Sequence, residues 1–268
     1  MAMQESSRVG DPDEPERSFA DARAKVSWAK FNLIYLEKKF ADLTKEFQKS
    51  GGASYNSKAG QFAIGNAPVD PFYSCLAGDI VFSLRSALDC CWMGLRRAID
   101  SEAGKGTLPR GNPESVEAVI QKASLRTKFP AAAEFILSEL KPFKNGNETL
   151  WFIAQVDNWN KHNMLMLVIQ HSHFEDARFN GQGIEIKLTN SGIVNFPDDN
   201  GIIGSPAFGP IYLDQTSSVS CELILCLQKP ADKRPLIPFL KAALQETERG
   251  VGRFADFFGS GASPRQAE

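Results

Sequence analysis

The sequence predicts a mainly α protein with a β insertion (α+β). The expected architecture is a bundle of four long helices plus two short ones, with a small antiparallel sheet between the third and fourth long helices. Three observations predict it. Apolar residues recur at three-four spacing over several long stretches, which is the helical period. Between about 182 and 229 the period changes to two, the signature of half-buried strands. The 268 residues, 43% apolar and 23% charged, suffice for a sizeable core of ordinary globular composition. Packing amphipathic helices side by side is then the simplest way to bury every seam.

Residues 1–17 are polar, acidic and proline-containing, and read as a disordered tail. Ser18 resembles an N-cap, with Asp21 as the acidic half of a capping box. The clearest signal follows: Phe19, Ala22, Val26, Ala29, Leu33, Leu36, Phe40, Leu43 and Phe47 form one apolar seam. Such a helix spans about 43 Å, and Gly51-Gly52 stops it. Residues 51–71 hold glycine, serine, asparagine and two prolines, and read as a loop. The second long helix covers about 72–100, with the seam Leu76, Ile80, Leu84, Ala87, Cys91, Leu95 and Ala98. Asn112 caps a short helix over 113–124, with Pro113 at its first position. Pro130 opens another short helix that ends near Leu140.

Asn147 caps a third long helix over about 148–170, in which the apolar run Met164–Ile169 reads as a buried segment. Its seam is Leu150, Ile153, Asp157, Asn160, Met164 and Leu167, so two polar residues interrupt an apolar stripe. Ile184, Ile186 and Leu188 then alternate with Glu185, Lys187 and Thr189, giving a strand. Asn190-Ser191-Gly192 and Asp198-Asp199-Asn200-Gly201 are turns, 211–214 a short strand, and Val219–Leu227 a longer one. The last helix, about 235–258, carries Ile237, Leu240, Leu244, Thr247, Val251, Phe254 and Phe258. The expected organisation is one domain over 18–258, with the β insertion at about 182–229 and a flexible tail at 259–268.

Thirty basic and 32 acidic residues leave a formal charge of −2. That balance argues against a dedicated nucleic-acid binder or a polybasic membrane binder, though not against a local patch. The N-terminus has no apolar stretch of the secretory kind, and no window of 18 apolar residues suits a membrane span. Five cysteines, Cys75, Cys90, Cys91, Cys221 and Cys226, lack framework spacing and point to reduced thiols and a cytoplasmic protein. No Cys-x-x-Cys, Gly-x-Ser-x-Gly, His-Glu-x-x-His or Walker motif occurs, so no cofactor or metal is expected. His171-x-His173 with Glu175 and Asp176 holds metal-ligand residue types, but no second ligand cluster has a recognisable spacing. Lys229, Lys233 and Arg234 read as a solvated basic hinge.

Two segments carry chemistry. In LRSALDCCW, Leu84–Trp92, Arg85 and Asp89 are four apart and share a helix face, which Trp92 and Arg96 continue. This is either a solvated helical ion pair, contributing a few tenths of a kcal/mol, or part of a site, because the stripe lies beside the apolar seam. In DNWNKHNM, Asp157–Met164, Asp157 and Asn160 sit on the core stripe. Lys161 follows Asp157 by four, and His162 lies on the flank. Polar groups on a buried seam are unfavourable unless paired. They suit either an internal network fixing helix register, with Asp157 or Asn160 bonding across to Arg85, or a site in a helix–helix groove.

LRSALDCCW, LKPF (Leu140–Phe143) and the run from Leu150 to Leu165 with Lys161-His162 resemble a family of bacterial proteins without an established activity. That family's helix reads LRSALDHLxW, and its later helix contains Asp-Lys-His-Arg. The likeness covers about 72–170. The family's Arg-x-x-x-x-His string is in turn similar to the signature of HEPN domains. Those are helical bundles that include metal-independent ribonucleases and non-catalytic nucleotide-binding or scaffolding members. Arg85, Asp89, Lys161 and His162 match the pattern. Cys90 replaces its histidine, Asn160 its aspartate and Asn163 its arginine. In a metal-free ribonuclease the histidine transfers protons and the arginine stabilises the phosphate transition state.

The resemblance therefore implies a helical fold more strongly than catalysis. The expected function is a non-catalytic helical binding or interaction module with a polar network of Arg85, Asp89, Asp157, Asn160, Lys161 and His162. The alternative is a metal-independent HEPN-like ribonuclease, with Arg85 on the phosphate, His162 as general acid/base and Asp157 beside them. A homodimer through exposed helix faces, or a protein or RNA partner, is compatible with either, and no membrane partner is expected.

Overall fold

Periodicity of residue type decides the helices. In the computed structural model, which describes residues 14–49, 53–56, 61–65, 67–100, 103–181, 184–192, 200–203, 212–213, 219–226 and 234–259, α1 spans Glu14–Lys49, α2 Pro71–Ile99 and α3 Pro113–Lys122. Helix α4 spans Leu125–Lys128, α5 Pro130–Glu134, α6 Glu148–Asn160 and α7 Leu236–Gly259. The fold is mainly α with an antiparallel β insertion between α6 and α7. Among the described residues no helix is long and apolar enough to cross a membrane.

By compactness the chain divides into two units. One comprises residues 1–33, 78–163 and 240–268, the other 34–77 and 164–239. In the first unit the α1 seam buries Phe19, Ala22, Val26, Ala29 and Leu33, and α2 buries Ile80, Leu84, Ala87, Cys91 and Leu95. Helix α7 buries Leu240, Val251 and Phe254, whose ring meets Phe135 edge-on at 5.2 Å. The caps read from sequence form: Asn112 accepts the Ser115 N–H at 2.8 Å, and Asn147 accepts the Leu150 N–H at 3.1 Å.

Several boundaries differ from expectation. Helix α1 starts at Glu14, so Ser18 is a buried helical residue and no N-cap. Pro15 is compatible with a first turn, and Glu14 and Glu16 suit the positive end of the helix dipole. Residues 1–13 of the expected tail, and 260–268 at the other end, lie outside the described residues. Beyond α5 the backbone continues as a π-helical turn, Phe135–Leu140, closed by Lys141 in the left-handed region at φ 47°.

The third long helix is the largest correction. Helix α6 ends at Asn160, residues 161–163 form a turn, and the run expected as helical begins β4, Met166–Gly181. A short apolar run does not distinguish helix from strand by periodicity. Here Leu167 and Ile169 are buried while Val168 between them is less so, the period of a strand.

The second unit holds the strands, and more of them than the sequence reading placed there. The expected loop at 51–71 contains β1 (Ala53–Asn56), β2 (Gln61–Gly65) and β3 (Ala67–Pro68). The remaining strands are β5 (Ile184–Gly192), β6 (Asn200–Ile203), β7 (Tyr212–Leu213), β8 (Val219–Cys226) and β9 (Arg234–Pro235). Asn200-Gly201, read as turn, belongs to β6. One antiparallel sheet has the order β1-β2-β6, with Ala53 opposite Ile64 and Phe62 opposite Ile203. The other runs β3-β4-β8-β9, and β5 and β7 also pair with β4. Strand β4 is long enough for its first half to pair β8 (Leu167 opposite Leu225) and its second half β5 (Phe179 opposite Ile186). A bulge at His171–His173 marks the change. Leu223, Ile224 and Leu225 are buried in succession, which fits a strand covered on both faces.

Candidate functional site

In the first unit Arg85 and Asp89 lie on α2, Asp157 and Asn160 on α6, and Lys161 and His162 directly after it, while residues 103–112, between α2 and α3, bond to both helices. Arg85 and Asp89 are one turn apart on α2, and their side chains are 5% and 22% exposed. The pair is therefore not a solvated surface pair. Arg85 Nη2 lies 3.1 Å from Asp89 Oδ1 and donates to the Leu108 carbonyl at 2.9 Å. The Leu108 N–H donates to Asp89 Oδ1 at 2.8 Å. Two side chains of one helix thus satisfy both hydrogen-bonding groups of a single buried residue in the connection. Buried backbone groups need such partners, so the arrangement fastens 103–112 to α2.

Arg110 fastens the same segment to α6. Its guanidinium donates to the Ala154 carbonyl at 3.3 Å and to Asn158 Oδ1 at 3.0 Å. Gly111, at φ 128°, follows directly. This is a conformation that side chains disfavour, and it lets Gly111 bridge to Phe143 while its carbonyl accepts the Lys144 N–H at 3.2 Å. Farther along α2, Arg96 donates to the Gly104 carbonyl at 3.1 Å.

On α6, Asp157 is 1% exposed and Lys161 Nζ lies 2.6 Å from its Oδ2. Its Oδ1 is buried with no hydrogen-bond partner among the described residues. Asn160 packs on Gly78 of α2: a Cβ built on that glycine would lie 2.5 Å from Asn160 Nδ2. The Asn160 amide therefore occupies the space that a side chain at 78 would take.

Burial dominates the electrostatics. It lowers the pKa of Arg85, against the opposing pull of Asp89. It raises that of Asp89, against Arg85 and the Leu108 N–H. Arg110 and Asp157 act on both groups, so the four charges belong to one field. Burial also pushes the Cys90 thiol up, away from the thiolate that a nucleophile needs.

The structure brings Arg85, Asp89 and Asp157 within one another's electrostatic reach, and the Asp157–Lys161 pair forms. The bond expected from Arg85 across to Asp157 or Asn160 does not. Arg85 is engaged by Asp89 and a backbone carbonyl instead. His162 is exposed on the turn after α6, and no hydrogen bond or ion pair among the described residues joins its ring to the network. Leu108 and Arg110 escaped the sequence reading. A residue recognised through its peptide group has no side-chain signature, and Arg110 lies in no periodic pattern. His171 and His173 lie on β4 and Lys229 and Lys233 between β8 and β9, but the side chains of all four fall outside the described residues.

No family model, curated protein or solved structure matches the chain.

Proposed function

We propose that this chain is a non-catalytic helical interaction module whose polar network organises the fold. The observation that carries the reading is the engagement of Arg85. Its guanidinium is buried against Asp89 and the Leu108 carbonyl, whereas an arginine serving a phosphate keeps donors open to the ligand. Two further features agree. The general acid/base candidate, His162, has no partner in the network, and the thiol at the position of the family's histidine is held in its neutral form by burial. An outer surface suited to a partner is present on α1 of the same unit. Trp28 and Phe31 are 56% and 62% exposed, with their rings stacked at 6.0 Å. Exposed large apolar groups in contact with each other are a feature of interaction surfaces.

The alternative, a metal-independent HEPN-like ribonuclease, makes a sharp counter-prediction. Single-stranded RNA incubated with the protein in EDTA should remain intact on a denaturing gel, for the wild-type chain and for His162→Ala alike. Cleavage that is abolished in both Arg85→Lys and His162→Ala, with folded protein confirmed by circular dichroism, replaces the module with the nuclease.

A further inference from the structure

The second unit contains a cavity of about 470 Å³ between the later turns of α1, strand β8 and the start of α7. Its volume falls within the about 300–1,000 Å³ range of small-molecule sites. Phe40, Leu223 and Ile237 give it an apolar wall, and Glu37, Glu222 and Lys45 bring charge to it.

The charges are unequal in what they offer. Lys45 has a counter-ion of its own one turn back, Asp42, at 3.9 Å. Glu222 is half-buried, and its carboxylate has no hydrogen-bond or ion-pair partner among the described residues. Glu37, on the α1 side, lines the same cavity but is engaged in an interaction of its own. The wall is therefore apolar, and one carboxylate on it, Glu222, has accepting capacity to spare. A carboxylate beside apolar surface gains most from a ligand that covers the wall and supplies an N⁺–H donor.

We infer that this cavity is a binding site for a hydrophobic primary amine. Its ammonium sits on Glu222 and its hydrocarbon or aromatic body lies against Phe40, Leu223 and Ile237. An acid of the same skeleton meets the like charge of Glu222 and is refused. An alcohol fills the wall but forms only a neutral hydrogen bond, which is roughly half as strong as a charged one.

The test is calorimetric titration of the full chain at pH 7 with 4-phenylbutylamine, 4-phenylbutan-1-ol and 4-phenylbutyric acid, repeated on Glu222→Gln and on Ile237→Trp, which fills the cavity. Melting temperature serves as the control for folding. The expected order is amine tighter than alcohol by about tenfold or more, with the acid weakest. Glu222→Gln should remove the difference between amine and alcohol, and Ile237→Trp should abolish both. Equal binding of amine and alcohol, an unchanged preference in Glu222→Gln, tighter binding of the acid, or no binding of the amine at millimolar concentration each overturns the assignment.

Discussion

Replacing Arg85 by methionine tests the central structural claim. Methionine keeps much of the length and apolar stem of arginine but removes the donors and the charge. The Leu108 carbonyl then loses its 2.9 Å donor, and Asp89 loses the cation at 3.1 Å. Leaving a buried carbonyl unsatisfied costs about 1–3 kcal/mol, and breaking a buried ion pair from one side costs about 3–5 kcal/mol. The two figures overlap, because one guanidinium serves both partners, and Asp89 at 22% exposure recovers some solvation. The expected loss is about 3–4 kcal/mol, a large part of the stability of a typical domain. It is to be read as a lower urea midpoint at unchanged slope. Asp89→Asn should be milder, since an amide oxygen still accepts the Leu108 N–H. The same variant has a pH signature. Burial raises the Asp89 pKa above its ordinary 3.8, so the folded state binds the proton more readily than the unfolded one. The stability contributed by this group is full below 3.8 and declines as pH rises through the folded-state pKa. Asp89→Asn should flatten that decline. An Arg85→Met midpoint within about 0.5 kcal/mol of wild type, the range of ordinary surface substitutions, refutes the idea that the pair fastens the connection to α2.

The remaining predictions concern α6 and its approach to α2. Lys161→Met strands a carboxylate that is 1% exposed and should destabilise by about 3–5 kcal/mol, with most of the loss recovered in Lys161→Met/Asp157→Asn. A urea titration showing no recovery places the effect elsewhere than in the unpaired charge. Gly78→Ala should destabilise the wild-type chain, because the new Cβ meets Asn160 at 2.5 Å. In an Asn160→Ala background the same change should instead stabilise by about 1 kcal/mol, the ordinary helix-propensity gain. Thermal melts giving the same sign in both backgrounds exclude the steric account.

The long helices were legible because α1, α2 and α7 write their burial into residue type at three-four spacing, with Asn112 and Asn147 adding caps whose side chains bond as expected. The i,i+4 pairs Arg85–Asp89 and Lys161–Asp157 were legible for the same reason, since helix geometry alone brings such residues together. The end of α6 was not. Met166–Ile169 carries no period that separates helix from strand, and its pairing partner, β8, lies more than fifty residues later in the chain. Nor were β1, β2 and β3, whose four, five and two residues are too short to display an alternation amid glycine and asparagine.

The sequence by itself determined the seams of α1, α2 and α7, the Asn112 and Asn147 caps, the alternating strands β5 and β8, and which charged residues sit near the apolar stripe. Each of these depends on side chains whose neighbours are set by local geometry. Tertiary structure alone decided that Arg85 would be buried and Asp89 half-buried, that their partner would be the backbone of Leu108, that Arg110 would hold the same segment to α6, and that His162 would stand outside on a turn. Hydrogen bonds to backbone groups are the physical reason. Every residue carries an N–H or a carbonyl of nearly the same chemistry, so which of them a buried side chain meets is fixed by how the chain packs and leaves no mark in the residue types.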